Sequence, residues 1–222
     1  MKGYQIVQNR PSITWVDPKL INHRIDSHFF STNFINEYSH LLNSGLEIYL
    51  LDKICYRMNS GPFGSALLAS QYVSEGIPFV RPINCKDYIV SNEEFVYISE
   101  EDNKRLKSSN FRSGALLITK IGNGIGDVAI VPQHISECNI SGNLMGVTVK
   151  RTYDSYYVLA FLKSKYGQKQ IIQARTNSAK PKIDMESIKN ISIALPDKRI
   201  QTYIGNKVRK AEELREEAKL LS

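Results

Sequence analysis

The 222-residue chain is poor in the residues from which metal and redox sites are made. Its cysteines, Cys55, Cys85 and Cys138, are odd in number, scattered and part of no Cys-x-x-Cys. They support neither a disulfide framework nor a zinc site, and a reducing cytoplasm fits them. The histidines (His23, His28, His40, His134) form no His-Glu-x-x-His and no spaced pair with cysteine, so no metal is expected. No stretch approaches the roughly 18 apolar residues of a membrane span. Met1–Arg10 is polar and lacks the apolar run of a signal peptide. The sequence has no Gly-x-Ser-x-Gly elbow, no Gly-Lys-Ser/Thr phosphate loop and no Asn/Asp-Pro-Pro-aromatic run of an amino-methyltransferase. Pro196-Asp197 and Glu217-Ala218-Lys219 spell the letters of a metal-dependent nuclease motif. On one helix they would stand about 30 Å apart, too far to share an ion. Catalytic residues and cofactors are therefore not expected.

One further absence is local. From Ser155 to Ile183 there is no acid, while Lys163, Lys165, Lys169, Arg175, Lys180 and Lys182 fall in the same stretch. The whole chain carries a formal charge of +7, which alone decides little. Clustering on one segment is the footprint of a polyanionic partner, or else a solvated helix face. Arg175-Thr176-Asn177-Ser178-Ala179-Lys180-Pro181-Lys182 mixes hydrogen-bond donors with long cations. Arg and Asn can pair bidentately with guanine and adenine edges; the plain alternative is an ordinary surface loop. Arg81 and Lys120 sit at strand–loop junctions, and Asn123 lies in the turn that follows Lys120. These residues form the candidate DNA-binding set.

The remaining pattern is one of short elements. A lead-in, Met1–Pro18, has Trp15 as its large anchor. A helix is expected over Asn33–Asn43, with Phe34, Tyr38, Leu41 and Leu42 on one face and Gly45 after it. Glu47–Met58 reads as strand or helical turn, and Asn59–Ser65 as a shaped loop. Short strands follow at Gly76–Pro82 and Phe95–Ile98, then a helical turn at Lys104–Ser108. Ala115–Thr119 and Val128–Val131 flank a glycine turn and read as a hairpin. That turn, Gly122-Asn123-Gly124-Ile125-Gly126, misses the dinucleotide spacing and leads into a strand, so it is a turn and not a nucleotide loop. A strand at Leu144–Val149 precedes a helix over Tyr156–Tyr166 ended by Gly167, a second helical piece over Gln168–Ala174, and a last strand at Ile191–Leu195. Irregular alternation of short strands and helices predicts an α+β fold.

Asp197–Leu221 reads as one helix about 37 Å long at helical rise. Ile200, Ile204, Val208, Ala211, Leu214, Ala218 and Leu221 recur at steps of three and four, a narrow seam among charges. The seam suits a strut that pairs with another helix, against the alternative of a terminal helix folded back on its own domain. Pro196 is the expected boundary between a recognition unit, 1–196, and this helix, 197–222.

Several motifs together resemble one family. SGPFGSALLASQYVSEGIPFVRPINC (Ser60–Cys85), GALLITKIGNGIGDVAIVP (Gly114–Pro132), NISGNLMGVTVKR (Asn139–Arg151) and TNSAKPKIDMESIKNISIALPDKRIQTYI (Thr176–Ile204) resemble, in that order, a target recognition domain. It is the kind found in specificity subunits of type I restriction-modification systems. HRIDSHFFS (His23–Ser31) is similar to their lead-in. The resemblance implies a non-catalytic reader of double-stranded DNA. It also implies helices that pair antiparallel and dock the methyltransferase subunit, and a restriction subunit reached through the complex. Family members commonly carry two recognition domains; this sequence carries one, which implies a second copy, a second half-subunit, or a longer parent chain. The alternatives are the recognition module of a nuclease or methyltransferase enzyme, or a helical scaffold that binds no DNA.

Overall fold

The computed structural model describes residues 15, 32–62, 64–176 and 178–220. The lead-in His23–Ser31 and the seam residue Leu221 lie outside them. Trp15, expected as an anchor, is 92% exposed.

Helix α1 (Thr32–Leu42) is followed by β1 (Glu47–Leu50), a single turn α2 (Leu51–Ile54) and β2 (Cys55–Ser60). Next come β3 (Ile77–Val80), β4 (Val96–Ile98), α3 (Glu100–Arg105), β5 (Asn110–Arg112), β6 (Leu116–Thr119), β7 (Val128–Ile130), β8 (Glu137–Ile140) and β9 (Leu144–Val149). Helices α4 (Ser155–Lys163), α5 (Lys165–Gln173) and α6 (Met185–Lys189), strand β10 (Ser192–Leu195) and helix α7 (Lys198–Leu220) complete the order. The mixture is α+β, as expected.

Among the described residues the strands form three sheets: β1–β10; β2–β9–β6–β7; and β4–β3–β8–β5. All pairings are antiparallel except β3 with β8. The β2–β9–β6–β7 sheet is the middle layer, and its side chains alternate between two cores. Leu116, Ile118, Val128, Ile130, Met145 and Val147 face the helices, packing with Tyr157, Leu159, Leu162 and Ile171. Leu117, Ala129 and Leu144 face the second sheet, packing with Val80, Phe111, Cys138 and Ile140. Covering on both faces explains why Ala115–Thr119 is an unbroken apolar run. Gly146 is where the two sheets come closest: a Cβ there would lie 2.2 Å from the Phe111 ring.

Local capping agrees with the sequence at several ends. Asp197 accepts from the N–H groups of Arg199 (2.8 Å) and Ile200 (3.1 Å) and so starts α7. Ser99 caps α3, which begins before the expected Lys104 and ends in a 3-10 turn at Lys107–Ser109. Gly167 does not end a helix. The break falls at Ser164, which caps α5, and Gly167 is its third residue. A Cβ on Gly167 would come within 2.4 Å of the Phe161 carbonyl oxygen, so the residue serves the tight α4–α5 corner.

The seam on α7 divides. The helix is 23 residues, about 35 Å long at helical rise. Its first part lies across α4 rather than standing clear of the body. Ile204 and Val208 are half-buried against the protein's own core. Ile200, at 46% exposed, and Leu214, at 53%, face outward, as do Ala211 and Ala218. The inward stripe is polar instead: Gln201 and Glu212 are buried. Apolar periodicity could not reveal a contact made by polar side chains. No described helix is long and apolar enough to cross a membrane.

Candidate nucleic-acid interface

Strand directions bring the loops together. In the middle sheet Ser60 pairs with Met145, Thr119 with Leu144, and Ile118 with Val128. The end of β2, the start of β9, the end of β6 and the start of β7 therefore share one edge of the layer. In the second sheet β3 and β8 run parallel and end together, Val80 opposite Ile140. Ser141 N–H donates to Val80 O at 2.9 Å, so the loop Ser141–Asn143 bridges both sheets at this edge. Gly61 N–H donates to Leu144 O (3.3 Å), and a Cβ on Gly61 would lie 2.1 Å from Ser141 O. Only glycine permits that approach.

The glycine turn lies alongside. Lys120 and Ile121 N–H both donate to Asn143 O, at 2.9 and 3.3 Å. Gly122 and Gly126 hold φ of 107° and 101°, values that favour glycine, and reverse the chain into β7. The loop after α5 closes on the same place. Ile183 N–H donates to Lys120 O (3.0 Å), Thr176 N–H to Lys182 O (2.9 Å), and Lys182 N–H to Thr176 Oγ1 (3.1 Å). Ile121 bridges Lys182 antiparallel. Residues separated by more than a hundred positions thus form one rim: Ser60–Pro62, Arg81, Lys120–Gly126, Ser141–Asn143 and Thr176–Lys182.

The rim is positively charged. Burial, and then the neighbouring Lys182, hold the Lys120 ammonium below the usual lysine range. Lys180, Lys182 and Asn123 are exposed. Asp127, the acid at the end of the turn, is held above the usual carboxylate range by burial, and its charge partners are Lys163 and Lys86. Thr119 Oγ1, Ser141 Oγ and Arg81 Nε are buried beneath the rim without a hydrogen-bond partner among the described residues. The rim therefore holds polar capacity the protein does not itself use.

The sequence candidates separate accordingly. Lys120, Asn123, Thr176, Lys180 and Lys182 come together, while Asn177 lies outside the described residues. Arg81 is at the rim, but its Nη2 donates to Glu94 O (2.8 Å). Lys165 and Lys169 flank Gln168 on α5, whose amide donates to Gly126 O (2.9 Å), and Arg175 follows at the end of that helix. Lys163 is engaged elsewhere. Its Nζ donates to Asp87 O and Val128 O, both at 3.1 Å, and stands 4.4 Å from the Tyr88 ring centroid. Half-buried, it ties α4 to β7, and this engagement sets it apart from the other candidates. Ser141–Asn143, a Ser-Gly-Asn turn between two apolar strands, carries no local mark of a site; only topology places it mid-rim. Asn143 is exposed there, its backbone carbonyl held by two N–H groups. Among the described residues no group of three or more His, Cys, Asp or Glu is placed to hold a metal.

A family model described as Type I restriction modification DNA specificity domain matches residues 70–218. The chain belongs to that family. A search of curated proteins finds no match. Solved structures share the fold. The HsdS subunit from Thermoanaerobacter tengcongensis is 16% identical with a TM-score of 0.53, over 81% of this chain and 43% of that one. The type I S subunit from M. genitalium is 16% identical with a TM-score of 0.55, over 87% of this chain and 46% of that one. The type IIG restriction endonuclease BpuSI is 12% identical with a TM-score of 0.59, over 82% of this chain and 28% of that one. The chain spans less than half the length of each. Its role is thus the DNA-recognition domain of type I restriction-modification specificity subunits.

Proposed function

We propose that the chain directs a type I restriction-modification complex to a split DNA target and performs no chemistry itself. Residues 1–196 read one half of the target through the rim. Helix 197–222 pairs with a second copy or a second half-subunit and docks the methyltransferase subunit, with the restriction subunit joining through the complex. The observation that carries the reading is the convergence of four loops from two sheets, and a fifth after α5, on one end where Lys120, Lys180 and Lys182 meet and Asp127, the acid of the glycine turn, is half-buried. Lys120, Lys180 and Lys182 suit phosphates, while Asn123, Asn143 and Thr176 can meet base edges.

The helix has a charge layout that favours antiparallel pairing. Lys198, Arg199, Lys207 and Arg209 lie in its first half with no acid, and Glu212, Glu213, Glu216 and Glu217 lie in its second among Lys210, Arg215 and Lys219, so an antiparallel partner would set the basic half against a slightly acidic one. A groove of about 350 Å³ runs beside it, lined by Tyr88, Ile204, Val208 and Ala211, and offers a partner helix an apolar seat. The likeness to part of a type IIG endonuclease supports a second reading, a recognition module within one larger enzyme. A methyltransferase that co-purifies as a separate chain would exclude that reading.

The test is duplex binding by the purified protein, alone and with its methyltransferase partner, over a salt series. Affinity should fall steeply with salt and rise with the partner present. A flat salt response would remove nucleic acid from the account and leave a scaffold.

A further inference from the structure

Helix α7 is fastened across the start of α4 by a line of polar contacts. Lys198 Nζ donates to Thr152 O (2.8 Å). Asp154 N–H donates to Gln201 Oε1 (3.4 Å), whose amide donates to Pro196 O (2.8 Å). One turn on, Gly205 faces the Asp154 carboxylate; a Cβ there would lie 2.6 to 2.8 Å from its atoms. Another turn on, Arg209 Nη2 donates to both Asp154 oxygens, each at 2.9 Å. The guanidinium lies 4.3 Å from the Tyr156 ring centroid, and its Nη1 donates to Asn206 Oδ1 (2.8 Å). Asp154 is 8% exposed and also caps α4, accepting from the N–H groups of Tyr156 (2.9 Å) and Tyr157 (3.2 Å). The Tyr156 hydroxyl, pushed up to about 12 by burial and then by Glu212, hydrogen-bonds the buried Glu212 carboxylate. One carboxylate therefore starts α4 and grips α7.

Apolar packing is non-directional and lets helices slide or rotate. Here one guanidinium nitrogen reaches both Asp154 oxygens while the other holds Asn206 and the plane lies over Tyr156, so the charged contact is directional as well as strong. Buried ion pairs add little net stability over apolar replacements; their best-attested use is setting register. We propose that the Asp154–Arg209 clasp, with Gly205 as its clearance, fixes the angle at which α7 leaves the head. In a paired subunit it thereby sets the spacer between the two half-sites. The spacer part rests on the function proposed above; the angle does not. Eleven residues of α7 lie beyond Arg209, about 16 Å at helical rise. A tilt of about 10° would move the far end by about 3 Å, close to one base-pair step of about 3.4 Å. Asp154 and Arg209 are positioning residues that touch no DNA in this account.

Two variants test it in the full-length chain. Asp154→Asn keeps the cap of α4 and weakens the grip; Arg209→Lys keeps the charge and loses the Nη1 bond to Asn206 and the planar contact with Tyr156. Spin labels at Glu100→Cys on α3 and Glu217→Cys on α7 report the angle by pulsed dipolar spectroscopy. The native cysteines are buried and stay unlabelled. The wild-type distance distribution should be narrow, and each variant should shift it by about 3 Å or broaden it visibly. With the methyltransferase partner, binding to duplexes of graded spacer should favour one spacer over its neighbours at least tenfold in the wild type. The variants should move or erase that preference while affinity for a single half-site stays within twofold. An unmoved distance distribution in both variants overturns the clasp. A moved distribution with an unmoved spacer preference overturns its role in spacing. If the wild type binds no duplex, the proposed function falls, and the distance measurement still decides whether the clasp sets the angle.

Discussion

Replacing Lys163 with methionine should destabilise the protein and leave its salt response intact, whereas replacing Lys182 with alanine should do the reverse. Both are cations of the same acid-free stretch, and composition treats them alike. Lys163→Met keeps the apolar stem and removes a half-buried ammonium. That group donates to Val128 O and Asp87 O, each at 3.1 Å, and covers Tyr88. A charged hydrogen bond contributes about 1.5–3 kcal/mol. The Asp87 bond is exposed and adds little, and the ring contact adds about 0.5–1 kcal/mol. The loss should come to about 2–4 kcal/mol, or about 4–16 °C in Tm for a chain of this size. Lys182 pairs through its backbone, so Lys182→Ala should leave Tm within about 1 °C. If its ammonium neutralises one phosphate, the slope of log K against log salt should become shallower by about 0.9. Between 50 and 200 mM salt that is about 3.5-fold less loss of affinity. Thermal melts and a binding series at four salt concentrations measure both. A Lys163→Met protein with an unchanged Tm and a slope reduced by about one would refute the assignment of the two lysines.

Gly146→Ala should cost about 1–3 kcal/mol in a urea titration, since its Cβ would enter the Phe111 ring contact between the sheets; an unchanged midpoint would show that the sheets are not closely apposed there. Ile200→Glu with Leu214→Glu, both exposed on α7, should leave Tm unchanged and convert any paired species to monomer on sizing chromatography. Elution identical to wild type would place pairing on another surface.

Much of the framework was legible because local signals agreed with one another. The β6–β7 hairpin had two apolar runs and three glycines, β9 was mostly apolar and β-branched, and α7 had Asp197 at its start. What escaped were elements whose logic is long-range. Strand β8 carries Asn139 fully buried in its middle, which breaks any alternation. Besides the adjacent Ile140 N–H, that side chain bonds Asn103, Leu106 and Ser109 from a distant helix and turn, at 2.6 to 3.2 Å. Gly167 looked like a stop because a close approach to another helix leaves no mark in one sequence. The inward face of α7 was missed because Gln201, Arg209 and Glu212 read as solvent-facing. The basic loop 175–182 was readable as a site, but its neighbours Asn143 and Ser60 were not. Only strand pairing brings them beside it.

Strand β9 starts at the rim, directly after Asn143, and ends at Val149, shortly before Asp154. Its six residues span about 20 Å at strand rise. The proposed reading rim and the proposed clasp therefore occupy opposite ends of one strand. On that proposal, mutational drift in the rim loops need not disturb the clasp, and changes at the clasp need not alter what the rim contacts. Such a body can acquire a new target and a new arm geometry in separate evolutionary steps.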